Sequence, residues 1–164
     1  APLANMSSHS FDPFGASIAS EVIRIIKEEQ LVTRAEEMGC YLKEQLSQVV
    51  AQHRILDGVR GQGLMLGMDV LSLDGSGQLD PMLSLSLEGE CLLRGLALGY
   101  SSLSGVIRLL PSLTITRSQI DQAMEILDQA VAYMTENGID ISRYMPTHMG
   151  SAMLAFSFIN KLEG

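Results

Sequence analysis

Leu64, Leu66, Met68 and Val70 occupy every second position of one short segment, so an extended chain places all four on one face. A strand with a single apolar face is not stable alone. It needs strands beside it and a second layer over that face. The rest of the sequence supplies both. Residues 55–59 read as a short strand before it. Residues 96–98 and 106–110 read as two more after it, parted by the loop Ser101-Ser102-Leu103-Ser104-Gly105.

Helical signals lie before, between and after these strands. Asp12-Pro13 joins an N-cap to proline at the first helical position, and Ile18, Val22, Ile25 and Ile26 follow at helical spacing. Thr33-Arg34-Ala35-Glu36 has the form of a capping box, which predicts a second helix from 33 with the stripe Met38, Leu42, Leu46 and Val49. Two consecutive helices, about 13–29 and 33–52, are therefore expected. Asp74-Gly75-Ser76-Gly77 is a turn. Asp80-Pro81 repeats the cap-plus-proline start, for a leucine-rich helix over 82–93 that Gly95 ends. Thr116-x-x-Gln119 opens the last helix, Ile120, Met124, Leu127, Val131 and Met134 form its stripe, and Asn137-Gly138 closes it. The expected fold is α+β, with long N-terminal helices leading into a small antiparallel or mixed sheet and helices packed mainly on one face. The expected division is 1–52 for the N-terminal loop and connecting helices, 53–138 for the α+β unit, and 139–164 for a tail.

Composition narrows the function classes. The 164 residues are 46% hydrophobic and 18% charged, a globular balance. With 11 basic and 19 acidic residues the net charge is −8, a poor basis for binding a phosphate backbone, so no nucleic-acid partner is expected. No apolar run reaches the roughly 18 residues of a membrane span, and no secretory signal is evident. Cys40 and Cys91 lie within helical patterns without metal-type spacing, so no metal site is expected. Both read as buried thiols of a cytoplasmic protein. The ten methionines read as core filling. The start Ala1-Pro2-Leu3 reads as that of a fragment.

Three segments carry a resemblance. Val106-Ile107-Arg108-Leu109-Leu110-Pro111-Ser112-Leu113-Thr114 resembles the Ile-Arg-x-x-Pro-Pro-Leu strand and turn of class III aminotransferases, with Ser112 in place of the second proline. Val59-Arg60-Gly61-Gln62-Gly63-Leu64 resembles the family's Arg-Gly-x-Gly-Leu turn. Ser7-Ser8-His9-Ser10-Phe11-Asp12-Pro13 is similar to its Ser-Thr-(aromatic)-Gly-Gly-Asn-Pro loop, although Ser10 and Phe11 replace the paired glycines. Order and gaps also agree, from about residue 5 to 137. The resemblance implies the C-terminal part of a fold-type-I enzyme that uses pyridoxal phosphate. Such an enzyme moves an amino group between a small-molecule amino donor and a carbonyl acceptor, and works as a homodimer with shared active sites.

The resemblance also assigns residues. Ser8, with Ser7, matches the family's hydroxyl that binds the cofactor phosphate, which a hydroxyl and backbone N–H groups before a helix can do. His9 stands where the family has an aromatic residue, and the resemblance leaves it either lining the substrate site or in a structural role. Arg108 matches a residue near the substrate carboxylate, and its fork suits bidentate carboxylate binding. An arginine inside an apolar strand needs a carboxylate partner or an open cleft, and a structural ion pair is the plainer alternative for it. Arg60 is expected to fix the Gly61–Gly63 turn. Transamination needs a lysine that forms a Schiff base with the cofactor, and none of Lys27, Lys43 and Lys161 matches it. No catalytic residue is therefore expected in this chain, and the chain alone is expected to be inactive. The competing readings are a non-catalytic dimerisation or docking domain of the same fold, and an unrelated small-molecule-binding α+β domain. In the tail, the apolar cluster at 152–159 is expected to be buried.

Overall fold

The computed structural model describes residues 12–101 and 104–139. Its elements are α1 (Pro13–Glu28), α2 (Leu31–Gln52), β1 (Leu56–Gln62), β2 (Met65–Val70), α3 (Pro81–Leu93), β3 (Gly99–Ser101), β4 (Val106–Leu109) and α4 (Arg117–Asn137). The four strands form one sheet in the order β1-β2-β4-β3. Each neighbouring pair is antiparallel, so the sheet is antiparallel rather than mixed.

The alternation in β2 decides the layering. Leu66, Met68 and Val70 are buried, and so are Ile107 and Leu109 of β4, which face the same way. Against this face lie the stripes of α2 (Met38, Leu42, Leu46, Val49) and α4 (Ile120, Met124, Leu127, Val131, Met134), joined by α3. Helix α3 is buried nearly all round, as its apolar composition requires. Its buried Ser84 and Ser86 hydroxyls donate to the carbonyls of Pro81 and Met82, so neither is left unpaired. Met38, Met68, Met124 and Met134 fill the core as expected, whereas Met65 points outward.

Both cap-plus-proline starts form. Asp12 accepts from the amides of Phe14 and Gly15, and Asp80 from that of Leu83. The Thr116–Gln119 capping box is reciprocal. The box expected at Thr33 does not open its helix. Gln30 takes a left-handed conformation, φ 51°, and turns the chain in a single residue, so α2 starts at Leu31. Leu31 is buried, and this supplies the physical reason for the early start. The strand expected over 96–98 is also displaced. The amide of Leu96 bonds back to the carbonyl of Cys91 to finish α3, and pairing with β4 begins only at Gly99.

Candidate functional site

The register of the sheet sets the geometry around Arg108. Arg60 pairs with Gly67, Gly67 with Arg108, and Arg108 with Gly99. Residues in one such row point to one face. The row Arg60–Gly67–Arg108–Gly99 thus lies on the face away from the helices, and each arginine neighbours glycine. Arg108 is exposed there, between buried Ile107 and Leu109 on the other side. The desolvation expected of an arginine inside an apolar strand does not arise, because alternation takes Arg108 out of the apolar layer.

Arg60 does a different job from the one its motif suggests. It donates to Asp69 at 2.6 Å and to the carbonyl of Gly58 at 2.8 Å. It therefore pins the irregular stretch of β1 between Asp57 and Arg60, where the register shifts, and not the Gly61–Gly63 turn. The hydrogen bond to Asp69 raises the Arg60 pKa.

The Arg-Gly-x-Gly-Leu turn is held by backbone contact. Gly61 has φ 130°, and a Cβ there would lie 2.0 Å from the carbonyl oxygen of Met65. A Cβ on Gly39 would lie 2.3 Å from the backbone of Gly63, so α2 rests directly on the turn. Beside this contact runs a groove of about 650 Å³, walled by Val32, Cys40, Lys43, Met65, Leu110 and Leu113. A smaller cavity of about 280 Å³ has Gly99, Arg108, Leu110, Pro111 and Ile115 in its wall. Ser7, Ser8 and His9 lie outside the described residues, as does the apolar cluster at 152–159.

The thiols differ from expectation in one case. Cys91 is buried, and burial followed by the nearby Glu88 pushes its pKa up to about 12, so it is inert as a nucleophile. Cys40 is exposed in the wall of the larger groove. Among the described residues no group of His, Cys, Asp or Glu could hold a metal ion. No described helix is long and apolar enough to cross a membrane. Arg60–Asp69 and the two glycines flanking Arg108 escaped the sequence reading. Their signal is relational: it needs the register across three strands, which one sequence does not print.

The family model for class III aminotransferases matches residues 4–131. An uncharacterised aminotransferase of Schizosaccharomyces pombe is 30% identical over 130 residues, which is 77% of this chain and 29% of that protein. The human mitochondrial alanine–glyoxylate aminotransferase 2 is 29% identical over 136 residues, 82% of this chain and 26% of that protein. An alanine/serine racemase of Pyrococcus horikoshii is 30% identical over 121 residues, 73% of this chain and 25% of that protein. A solved transaminase from a directed-evolution and ancestral-reconstruction study superposes with a TM-score of 0.73 at 26% identity, over 82% of this chain and 30% of that one. This chain thus spans about a quarter to a third of the length of its relatives. The match over residues 4–131 takes in all three resembling segments, and the chain belongs to the class III aminotransferases.

Proposed function

We propose that this chain supplies the C-terminal part of a pyridoxal-phosphate-dependent aminotransferase, and that Arg108 binds the substrate carboxylate there. The observation that carries the role is the placement of Arg108. It stands on the open face of the sheet with no side chain on either cross-strand neighbour, on the segment matching the family's Ile-Arg strand. A guanidinium presented this way can take a carboxylate through two parallel N–H bonds. The role does not depend on transamination alone, since a racemase acting on alanine or serine must also hold a carboxylate.

The described residues do not by themselves make a site for the cofactor. Lys27 and Lys43 lie exposed on α1 and α2, and neither is enclosed as a Schiff-base lysine must be. When bound, the cofactor would supply the electron sink for the amino-group chemistry. In this reading Ser7 and Ser8 hold its phosphate, His9 lines the substrate site, and the lysine comes from the rest of the polypeptide. Substrates are an amino donor and a carbonyl acceptor, and the working form is a homodimer. Residence in the cytoplasm is part of the same reading and rests on the two free cysteines, although the human relative is mitochondrial. The competing reading, a docking domain without catalysis, draws support from α1, which has no buried residue.

Two experiments test the reading. Titrating the 164-residue chain with pyridoxal phosphate should give no borohydride-trappable adduct on a single lysine and no transaminase activity. A stoichiometric adduct would overturn that part. In the full-length enzyme, Arg108→Lys keeps the charge and loses the fork. It should weaken carboxylate-bearing substrates by on the order of ten- to a hundred-fold and leave simple amines or aldehydes unaffected. If both half-reactions slow equally and the melting temperature falls, Arg108 is a structural ion-pair residue.

A further inference from the structure

Gly67 and Gly99 are the cross-strand neighbours of Arg108, one on each side. Glycine inside a strand weakens it, and a β-branched residue would serve better. It persists where the backbone needs positive φ, where a Cβ would clash, or where something else must come close. The first two reasons fail at both positions. Neither residue has a positive φ. A Cβ on Gly67 would meet its nearest neighbour, the carbonyl oxygen of Ile107, at 3.5 Å; on Gly99 the nearest atom, the carbonyl oxygen of Arg108, would be at 3.4 Å. Both are ordinary contact distances. The contrast lies in the same sheet: Gly58 and Gly61 have positive φ, and a Cβ on either would meet another atom at 2.4 Å or less. Those glycines are demanded by the fold, and Gly67 and Gly99 are not.

We infer that Gly67 and Gly99 are specificity-determining positions of the carboxylate site at Arg108, a step that rests on the substrate-binding role proposed above. Their missing side chains leave room on each side of the base of the Arg108 side chain, on the face the helices leave uncovered. Val106 Cγ1 lies 3.8 Å from the Cβ position of Gly67, and Leu110 Cδ1 3.9 Å from that of Gly99, so this room has apolar walls. A flat carboxylate that lies in the plane of the guanidinium fits such a space. A branched side chain at either glycine would stand beside the arginine and occupy the space the carboxylate needs. Selection at this site is then for a substrate whose carboxylate is unencumbered by branching next to it.

The test uses the full-length enzyme carrying this chain, with Gly67→Val, Gly99→Val and Arg108→Lys made separately. Dissociation of propionate, a plain carboxylate probe, is measured by ligand-observed NMR, which needs no turnover. Thermal unfolding is recorded for each variant. Both valine variants should weaken propionate about tenfold or more with the melting temperature unchanged or raised, since neither Cβ clashes and valine favours a strand. KM for a carboxylate-bearing donor should rise in parallel. If Arg108→Lys weakens propionate and the valine variants do not, this inference is overturned and the role of Arg108 stands. If none of the three weakens it, both are overturned. Should a valine variant unfold, the smaller Gly67→Ala and Gly99→Ala replace it, and unaltered propionate binding in both would also sink the inference.

Discussion

Helices α1 and α2 follow one another with a two-residue turn, Glu29-Gln30, between them, and both carry an apolar stripe, yet they end in opposite circumstances. Met38, Leu42, Leu46 and Val49 of α2 are buried against the sheet and α4. No residue of α1 is buried, and Ile18 is 50% exposed. Periodicity marks a face that wants a partner, but does not say whether the partner lies in this chain. For α2 the partner is the alternating strand that follows. For α1 none of the described residues covers the stripe of Phe14, Ile18 and Val22. A chain spanning about a quarter to a third of its relatives has room for that partner elsewhere in the polypeptide.

The sharpest way to break this comparison is to truncate one residue from each stripe. Leu46 is fully buried, so Leu46→Ala should cost the 164-residue chain about 2–5 kcal/mol of stability. Ile18→Ala should change it by less than about 0.5 kcal/mol. Denaturant unfolding measures both. Equal losses would mean that α1 belongs to the same core and that the contrast is wrong.

The seat of α2 offers a second test. Gly39→Ala adds a methyl group where the backbone of Gly63 lies at 2.3 Å. Alanine favours a helix over glycine by up to about 1 kcal/mol. The clash opposes this, and overpacking against backbone costs about 1–3 kcal/mol, so the net change should be destabilising. Gly15 in α1 has only the flexible Asp12 carboxylate at 3.0 Å, and Gly15→Ala should be tolerated. A stabilising Gly39→Ala would show that α2 can ride off the turn.

Much of the fold was legible in the sequence, though not this contrast. The stripes of α2 and α4, the alternation of β2 and the capped helix starts are local patterns, and local patterns are what 3.6- and 2-residue periods encode. The start of α2 was misread because a left-handed Gln30 is invisible to composition. The strand at 96–98 was misread because an apolar triplet can close a helix and fill the core without joining a ladder. At the candidate site, Arg108 was found through its motif, but its setting was not. That the neighbours are glycines, and that Arg60 is engaged by Asp69, depends on the register of strand pairing: Gly67 meets Arg108 from 41 residues away, and Gly99–Arg108 and Arg60–Asp69 each close across nine.

Polar contacts separate the two helices as well. His53 at the end of α2 meets Asp128 of α4 at 2.7 Å and is mostly buried, while Arg24 of α1 pairs with Glu21 and Glu28 in solvent. His53→Ala should therefore cost about 0.5–1.5 kcal/mol, and Arg24→Ala should leave the melting temperature unmoved. A measurable loss from Arg24→Ala would mean that the charged face of α1 has a partner in this chain.

The smallest expected effect concerns two glutamates whose pKa values move in opposite directions. Glu21 of α1 is exposed, and its hydrogen bond with Arg24 lowers its pKa from 4.5. Glu88 of α3 is half-buried, and desolvation raises its pKa from 4.5, with one carboxylate oxygen buried and unbonded. A raised folded-state value means that the folded chain prefers protonated Glu88. That preference is fully expressed below about 4.5 and is lost as pH rises through the folded value. Glu88→Gln removes the ionising group and keeps the shape. It should raise the melting temperature modestly at pH 7 and leave it nearly unchanged at pH 4, because the glutamate is then largely protonated. Glu21→Gln should show no such gain at pH 7, since its charged form is the favoured one. Melting curves of the two variants at both pH values decide the matter, and a Glu88→Gln gain of equal size at pH 4 and pH 7 would assign it to packing instead of charge.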